Sequence, residues 1–189
     1  MSELDELKAR IDRLESRAAI TELISAYAIA CDEHDIPRLG SLFCTDAVLD
    51  TPNGTMVARG RAAIEAMFIE VFKIRGPAFH WTHDVTITFD DDDPNRASGL
   101  ALCHAETSPN GVASVAALRY HDTYRREDGV WRIASRALHF LYYAPMTEIP
   151  NILNETKRVT IGGDRLAADY PECLPAWQAF DEQYMDKET

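Results

Sequence analysis

Apolar positions fall in two rhythms along the chain, helical in the first third and strand-like after it. Leu4, Leu7, Ile11 and Leu14 recur at three- and four-residue steps, the spacing of a narrow helical seam. Ile20, Leu23, Ile24, Tyr27, Ala28 and Cys31 continue the period on a broader stripe, so one long helix is predicted over 3–32. Its first part is highly charged and suited to pairing with another subunit; its second part should face the protein's own core. His34-Asp35-Ile36-Pro37 ends it. A short second helix is expected from Ile36 to Phe43. A strand follows at 47–51, and Pro52-Asn53-Gly54 turns the chain toward a partner strand at 55–58. Ile64, Met67, Phe68, Val71 and Phe72 then mark the apolar face of a third helix, 61–74, stopped by Gly76-Pro77.

Four longer strands are expected at 79–89, 96–107, 112–126 and 130–142. The turns between them are polar, and Glu127-Asp128-Gly129 is a tight hairpin signal. Short connections make an antiparallel meander the natural topology. Helices first and strands after them is an α+β plan. The main domain is expected over 1–145. Residues 146–189 form a less regular extension, with a short helix near Leu174–Tyr184, packing on the domain or on a neighbouring subunit.

Composition narrows the function. The chain has 189 residues, 46% of them hydrophobic and 26% charged, enough for one domain with a real core. A net charge of −12 and no basic stripe argue against a nucleic-acid groove, and against an anionic membrane surface. No apolar run approaches the length of a membrane-spanning helix, and no signal peptide is read at the N-terminus. The four cysteines show neither CxxC pairing nor zinc-ligand spacing, so free thiols in the reducing cytoplasm and no metal site are expected. No phosphate-binding glycine loop, dinucleotide fingerprint or nucleophile elbow is present.

Two residues carry candidate chemistry. Asp32 closes the long helix on the face of Ile24 and Ala28, so it points toward the core, and a buried carboxylate needs a partner. His80 opens the strand Phe79-His-Trp-Thr-His-Asp-Val-Thr-Ile-Thr-Phe89. A carboxylate beside an imidazole orients the ring and stabilises its protonated form, the arrangement of a general base. Strict alternation places Phe79, Trp81, His83, Val85, Ile87 and Phe89 on one face and His80, Thr82 and Asp84 on the other. By pattern alone His83 is the alternative base; a bulge between 80 and 87 would restore His80. Tyr27 is a candidate donor to a substrate oxygen, Phe68 and Trp81 are core or pocket wall, and His104 is a pocket or bonded core group. Arg136 is a substrate-anion binder or half of a structural ion pair. Asp84, Glu106 and Arg136 are weak candidates for an acidic, water-activating cluster.

The order of elements resembles the nuclear transport factor 2-like superfamily, and within it the SnoaL-like polyketide cyclase and dehydratase group. Three stretches carry the resemblance: Ala19 to Asp32 with Leu42-Phe43-Cys-Thr-Asp46 after it, His80 with Ile87, and Arg119-Tyr120-His-Asp122-Thr-Tyr124 through Trp131-Arg132-Ile133. Together they span about 15–142. The resemblance implies a cone-shaped α+β barrel, a curved antiparallel sheet wrapped around the N-terminal helices. It also implies a catalytic Asp on the first helix and a His on the strand after the third, as in bile-acid 7-alpha-dehydratase, scytalone dehydratase and hexachlorocyclohexane dehydrochlorinase. Asp32 and His80 fall at those places, and Tyr27 matches a tyrosine five residues before the Asp. Cys31, in place of a tyrosine found in scytalone dehydratase, and Asp84, in place of an asparagine common after the His, depart from the pattern. The implied function is a cofactor-independent lyase, dehydratase-like, or an isomerase or cyclase, acting on a small apolar cyclic substrate within a homo-oligomer, dimer or trimer. The alternative is a non-catalytic binding or assembly module of the same fold.

Overall fold

The computed structural model describes residues 2–185. Helix α1 runs Glu3–Asp32, opened by a capping box: the Ser2 hydroxyl accepts from the Asp5 amide, and the Asp5 carboxylate accepts from the Ser2 amide. Helix α2, Ile36–Ser41, is capped by Asp35, whose carboxylate accepts from the Arg38 amide at 3.0 Å. It is shorter than the expected 36–43, because Phe43 already lies in strand β1, Phe43–Asp50. Strand β2, Val57–Arg59, pairs back on β1. Helix α3, Arg61–Arg75, lies between Gly60 and Gly76, both at positive φ.

Strands β3 (Phe79–Phe89), β4 (Arg96–Thr107), β5 (Ser114–Glu127) and β6 (Val130–Pro145) form the antiparallel meander. Asp128 and Gly129, at φ 52° and 78°, make the tight turn between β5 and β6. The sheet is mixed rather than wholly antiparallel, its strand order being β2-β1-β6-β5-β4-β3. The correction lies at β6: β1 runs parallel to it, and the Ile133 amide donates to the Leu42 carbonyl at 2.9 Å. Local alternation defines each strand but does not say which distant strand fills the open edge of a meander. The sheet is large, curved and unclosed, wrapped around α1 and α3, with Ile20, Ile24, Phe43, Leu49, Ile64 and Phe68 in the core between them.

Beyond β6 the chain adds two strands that the sequence pattern leaves unread. Strand β7, Lys157–Ile161, touches β6 in parallel at Tyr143–Val159 and pairs with β8, Asp164–Ala167. The Arg158 guanidinium fastens this hairpin, donating to the carbonyls of Leu141 and Tyr170 and to the Glu172 carboxylate. Helix α4, Pro175–Tyr184, buries none of its residues. No helix among the described residues is long and apolar enough to cross a membrane.

Candidate active site

The register of α1 brings Asp32 to the mouth-facing side of the core, one residue after buried Cys31. Strand β3 crosses it at His80. The Asp32 carboxylate accepts twice from this residue: Oδ2 takes the His80 amide at 3.0 Å, and Oδ1 lies 2.6 Å from Nδ1. An ionised carboxylate only accepts, so Nδ1 carries the ring proton and Nε2 presents a lone pair. The side chains are 8% (His80) and 24% (Asp32) exposed, a setting in which a charge-assisted hydrogen bond is strong.

A bulge decides between His80 and His83. The pairing of β3 with β4 slips between His83 and Val85, leaving Asp84 unpaired at φ 50°. Before the bulge His80 and Thr82 turn inward; after it Ile87 and Phe89 do. His83 therefore lies on the outer face, with Nδ1 3.2 Å from Asp84 and Nε2 2.9 Å from His104 Nδ1. The cavity wall thus includes His80 and not His83.

His80 lines a cavity of about 290 Å³ inside the cone. Its apolar wall includes Tyr27, Phe68, Leu118, Leu138 and Phe140. The β1–β2 loop contributes Thr55 and Met56, and the β7–β8 turn contributes Ile161 and Gly162. Polar groups are few: Tyr27 and Tyr120, a Thr107–Tyr143 hydroxyl pair 2.9 Å apart, and Arg75. A mostly apolar cleft with a few placed polar groups is the usual form of a small-molecule site. Burial holds the Tyr27 phenol far above its ordinary pKa, so it stays a neutral hydroxyl.

Other candidate residues lie outside the cavity lining. Trp81 is 60% exposed on the outer face, because it shares the phase of His83 and not that of His80. His104 and Glu106 are on that face too, since β4 turns its odd-numbered residues inward. Arg136 is fully buried behind the cavity wall and not on it. It donates from Nε and Nη2 to Asp122, at 2.9 and 2.6 Å, and lies between the rings of Tyr27 and Tyr120, 4.1 and 4.3 Å from their centroids. It is thus half of a structural ion pair. Asp84 at the β3 bulge, Glu106 on the outer face of β4 and the buried Arg136 do not converge. Arg75 was missed by sequence reasoning. A basic residue before Gly76 reads as a helix C-terminal charge, and only the folded chain shows the residue on the cavity wall.

The SnoaL-like domain family matches residues 12–137. The chain belongs to this family. Its likeness extends to hexachlorocyclohexane dehydrochlorinase 1 of Sphingobium indicum, 27% identical over 140 residues that cover 74% of this chain and 90% of the relative. The crystal structure of a type 2 hexachlorocyclohexane dehydrochlorinase superposes with a TM-score of 0.67 at 24% identity, covering 72% of this chain and 93% of that one. A Novosphingobium aromaticivorans protein provisionally named a scytalone dehydratase gives 0.66 at 19%, over 72% and 91%. These two likenesses show a shared fold. The relatives in sequence are dehydrochlorinases, which supports a lyase or isomerase kind of activity for the SnoaL-like chain.

Proposed function

We propose that this SnoaL-like protein is a cofactor-independent lyase or isomerase that removes a proton from a small, mostly apolar ring, with His80 as the base and Asp32 as its partner. The observation that carries the reading is that His80, on the wall of an apolar cavity, is bonded twice to Asp32. Nε2 takes the proton, Nδ1–H stays on the carboxylate, and Asp32 stabilises the imidazolium as it forms. Dehydration is the first reaction to try; dehydrochlorination, the activity in the relatives' names, uses the same parts. Tyr27 and Phe68 shape the ring site, and the neutral Tyr27 phenol serves as donor to the leaving oxygen. Ile161 and Gly162, beyond the main domain, close one wall of the site. Proton transfer of this kind makes no demand for an electron sink.

The test compares wild type with Asp32→Asn and His80→Ala on hydroxylated cyclic ketones and chlorinated cyclohexanes. Each variant should lose about 10²–10⁴ in kcat. The amide of Asp32→Asn would meet Nδ1 with a donor, favouring the tautomer that protonates Nε2. Unchanged turnover in both variants sinks the base assignment. Tight ring binding without turnover in the wild type would instead mark a binding module.

A further inference from the structure

Arg75 ends α3 and enters the wall of the cavity that holds His80. A guanidinium stays charged at any pH a protein tolerates and has five donors to satisfy. Arg75 Nη1 is buried with no hydrogen-bond partner, and the guanidinium carbon sits 5.8 Å from the Phe72 ring. Among the described residues three other arginines have a buried nitrogen without a partner, but Arg136 and Arg126 are held by Asp122 and Asp12, and Arg119 lies over the Tyr170 ring outside this cavity. A buried donor without an acceptor is destabilising, so a cation unmatched on the wall of a ligand-sized cavity is a site for an acceptor that arrives with the ligand.

Charge balance says what that acceptor is. Before reaction the charges at the site are the Arg75 guanidinium on the cavity wall and the Asp32 carboxylate behind His80. Proton transfer to Nε2 adds an imidazolium and leaves an electron pair on the substrate. Asp32 balances the first. Arg75 balances the second if the pair moves onto an oxygen, which happens when the carbon stands next to a carbonyl. A chlorinated cyclohexane has no such oxygen. We infer that Arg75 is the oxyanion-binding group of this site, and that its substrates are ring ketones whose carbonyl oxygen meets Arg75 while the neighbouring carbon faces His80. The inference rests on the base assignment of the preceding subsection. In the dehydration, the α C–H bond breaks and its proton goes to Nε2. The carbonyl π pair moves to oxygen as an enolate. The enolate then reforms the carbonyl and expels the β-hydroxyl, which leaves as water with the proton returned from His80. Ketone gives enone plus water, with no oxidant or reductant.

The probe is 2-naphthol, a planar phenol whose anion matches an enolate in charge and shape and whose fluorescence separates the neutral and ionised forms. Bound to wild type, it should ionise at a proton concentration at least about tenfold higher than in free solution. Arg75→Met should still bind the neutral form but lose the displacement, and Arg75→Lys should restore part of it. An equal displacement in wild type and Arg75→Met overturns the role of Arg75. The base assignment stands or falls separately, on Asp32→Asn turnover. Failure of wild type to bind the probe overturns the ring-ketone assignment.

The free end of α1 carries a second, independent feature. Leu4, Leu7, Ile11 and Leu14 are 59, 50, 46 and 68% exposed. At 100° per residue they form one stripe, opposite the face that sends Ser16, Ile20 and Leu23 into the core. The stripe is a heptad seam with Leu4 and Ile11 at a, and Leu7 and Leu14 at d, a pattern that favours two strands. Glu3 and Arg10 fall at g, Lys8 and Glu15 at e. In a parallel pair each g residue meets the e residue five positions on: Glu3 meets Lys8 of the partner subunit, and Arg10 meets Glu15 of the partner subunit. Both pairs are of opposite charge. Asp12 and Arg13 are already engaged with Arg126 and Phe89 of their own domain, so the seam points away from it. We infer that this stripe pairs in parallel with a second copy of the chain. In a Cys173→Ser background, Leu4→Cys should give a disulfide-linked dimer under mild oxidation, because like positions face each other only in the parallel arrangement. Ile11→Glu should halve the mass seen by sedimentation. A monomeric wild type, an unlinked Leu4→Cys protein, or a mass unaltered by Ile11→Glu each overturns the pairing.

Discussion

Asp122→Asn removes the carboxylate that Arg136 meets in the core. Both side chains have no exposed surface, and their contacts at 2.6 and 2.9 Å leave no room for water to substitute. The Tyr124 hydroxyl, donating to Asp122 Oδ2 at 2.6 Å, belongs to the same network. Breaking a buried pair by neutralising one partner costs about 3–5 kcal/mol, a large share of the roughly 5–15 kcal/mol that holds a domain folded. With a urea slope of about 2 kcal/mol per molar, the unfolding midpoint should fall by about 1.5–2.5 M. Replacing both charges at once, Asp122→Leu with Arg136→Met, removes the unpaired charge as well as the pair. That double variant should recover most of the loss. It should stay about 2 kcal/mol or less below wild type, the part owed to cation–π contacts with Tyr27 and Tyr120. The assay is urea unfolding of purified protein followed by tryptophan fluorescence, on wild type, both single variants and the double. A midpoint drop under about 0.5 M for Asp122→Asn would refute a tightly coupled pair, as would a double variant as unstable as the sum of the singles.

Gly99→Ala should destabilise by about 1–3 kcal/mol in the same assay, because its Cβ would lie 2.7 Å from the Thr86 carbonyl oxygen and 3.0 Å from the Tyr124 ring. His121 and His139 are held below the ordinary imidazole pKa, first by burial and then by a neighbouring charge, Arg119 for His121 and His121 for His139. With the folded value depressed, the unfolded chain binds protons first, so their contribution is full above about pH 6.5 and is lost as pH falls. Urea midpoints should therefore drop from pH 7.5 to 5.5, and His121→Gln with His139→Gln should flatten the drop. Burial pushes the Cys31 thiol up to about 12 and Cys44 up to about 11, whereas Cys173 is exposed. A chromogenic disulfide reagent should titrate one fast thiol in the native protein, and none after Cys173→Ser.

Periodicity was a sound guide wherever one element decides the outcome. The helical stripe aims Asp32 inward, and the face of α3 places Phe68 on the cavity wall. It failed where two distant elements meet. The parallel joining of β1 to β6 depends on which edge is open, and the β7–β8 hairpin depends on Arg158 finding carbonyls from three segments. Within β3, strict alternation favoured His83, and one unpaired residue reversed the answer. On β4 the half-buried Leu100 and Leu102 made the outer face look inner, and drew His104 with it. Arg75 could not be seen as a cavity residue, since its meaning comes from what does not surround it.

The bulge at Asp84 gives β3 two parities. Even positions build the reactive wall in its first half, and odd positions build the core in its second. A substitution at His80 can therefore alter the cavity wall without disturbing the packing of Ile87 and Phe89. The two halves are free to drift apart under selection, one for chemistry and the other for folding. A strand in uniform phase would tie every change of substrate range to the same row of residues that holds the sheet against α1.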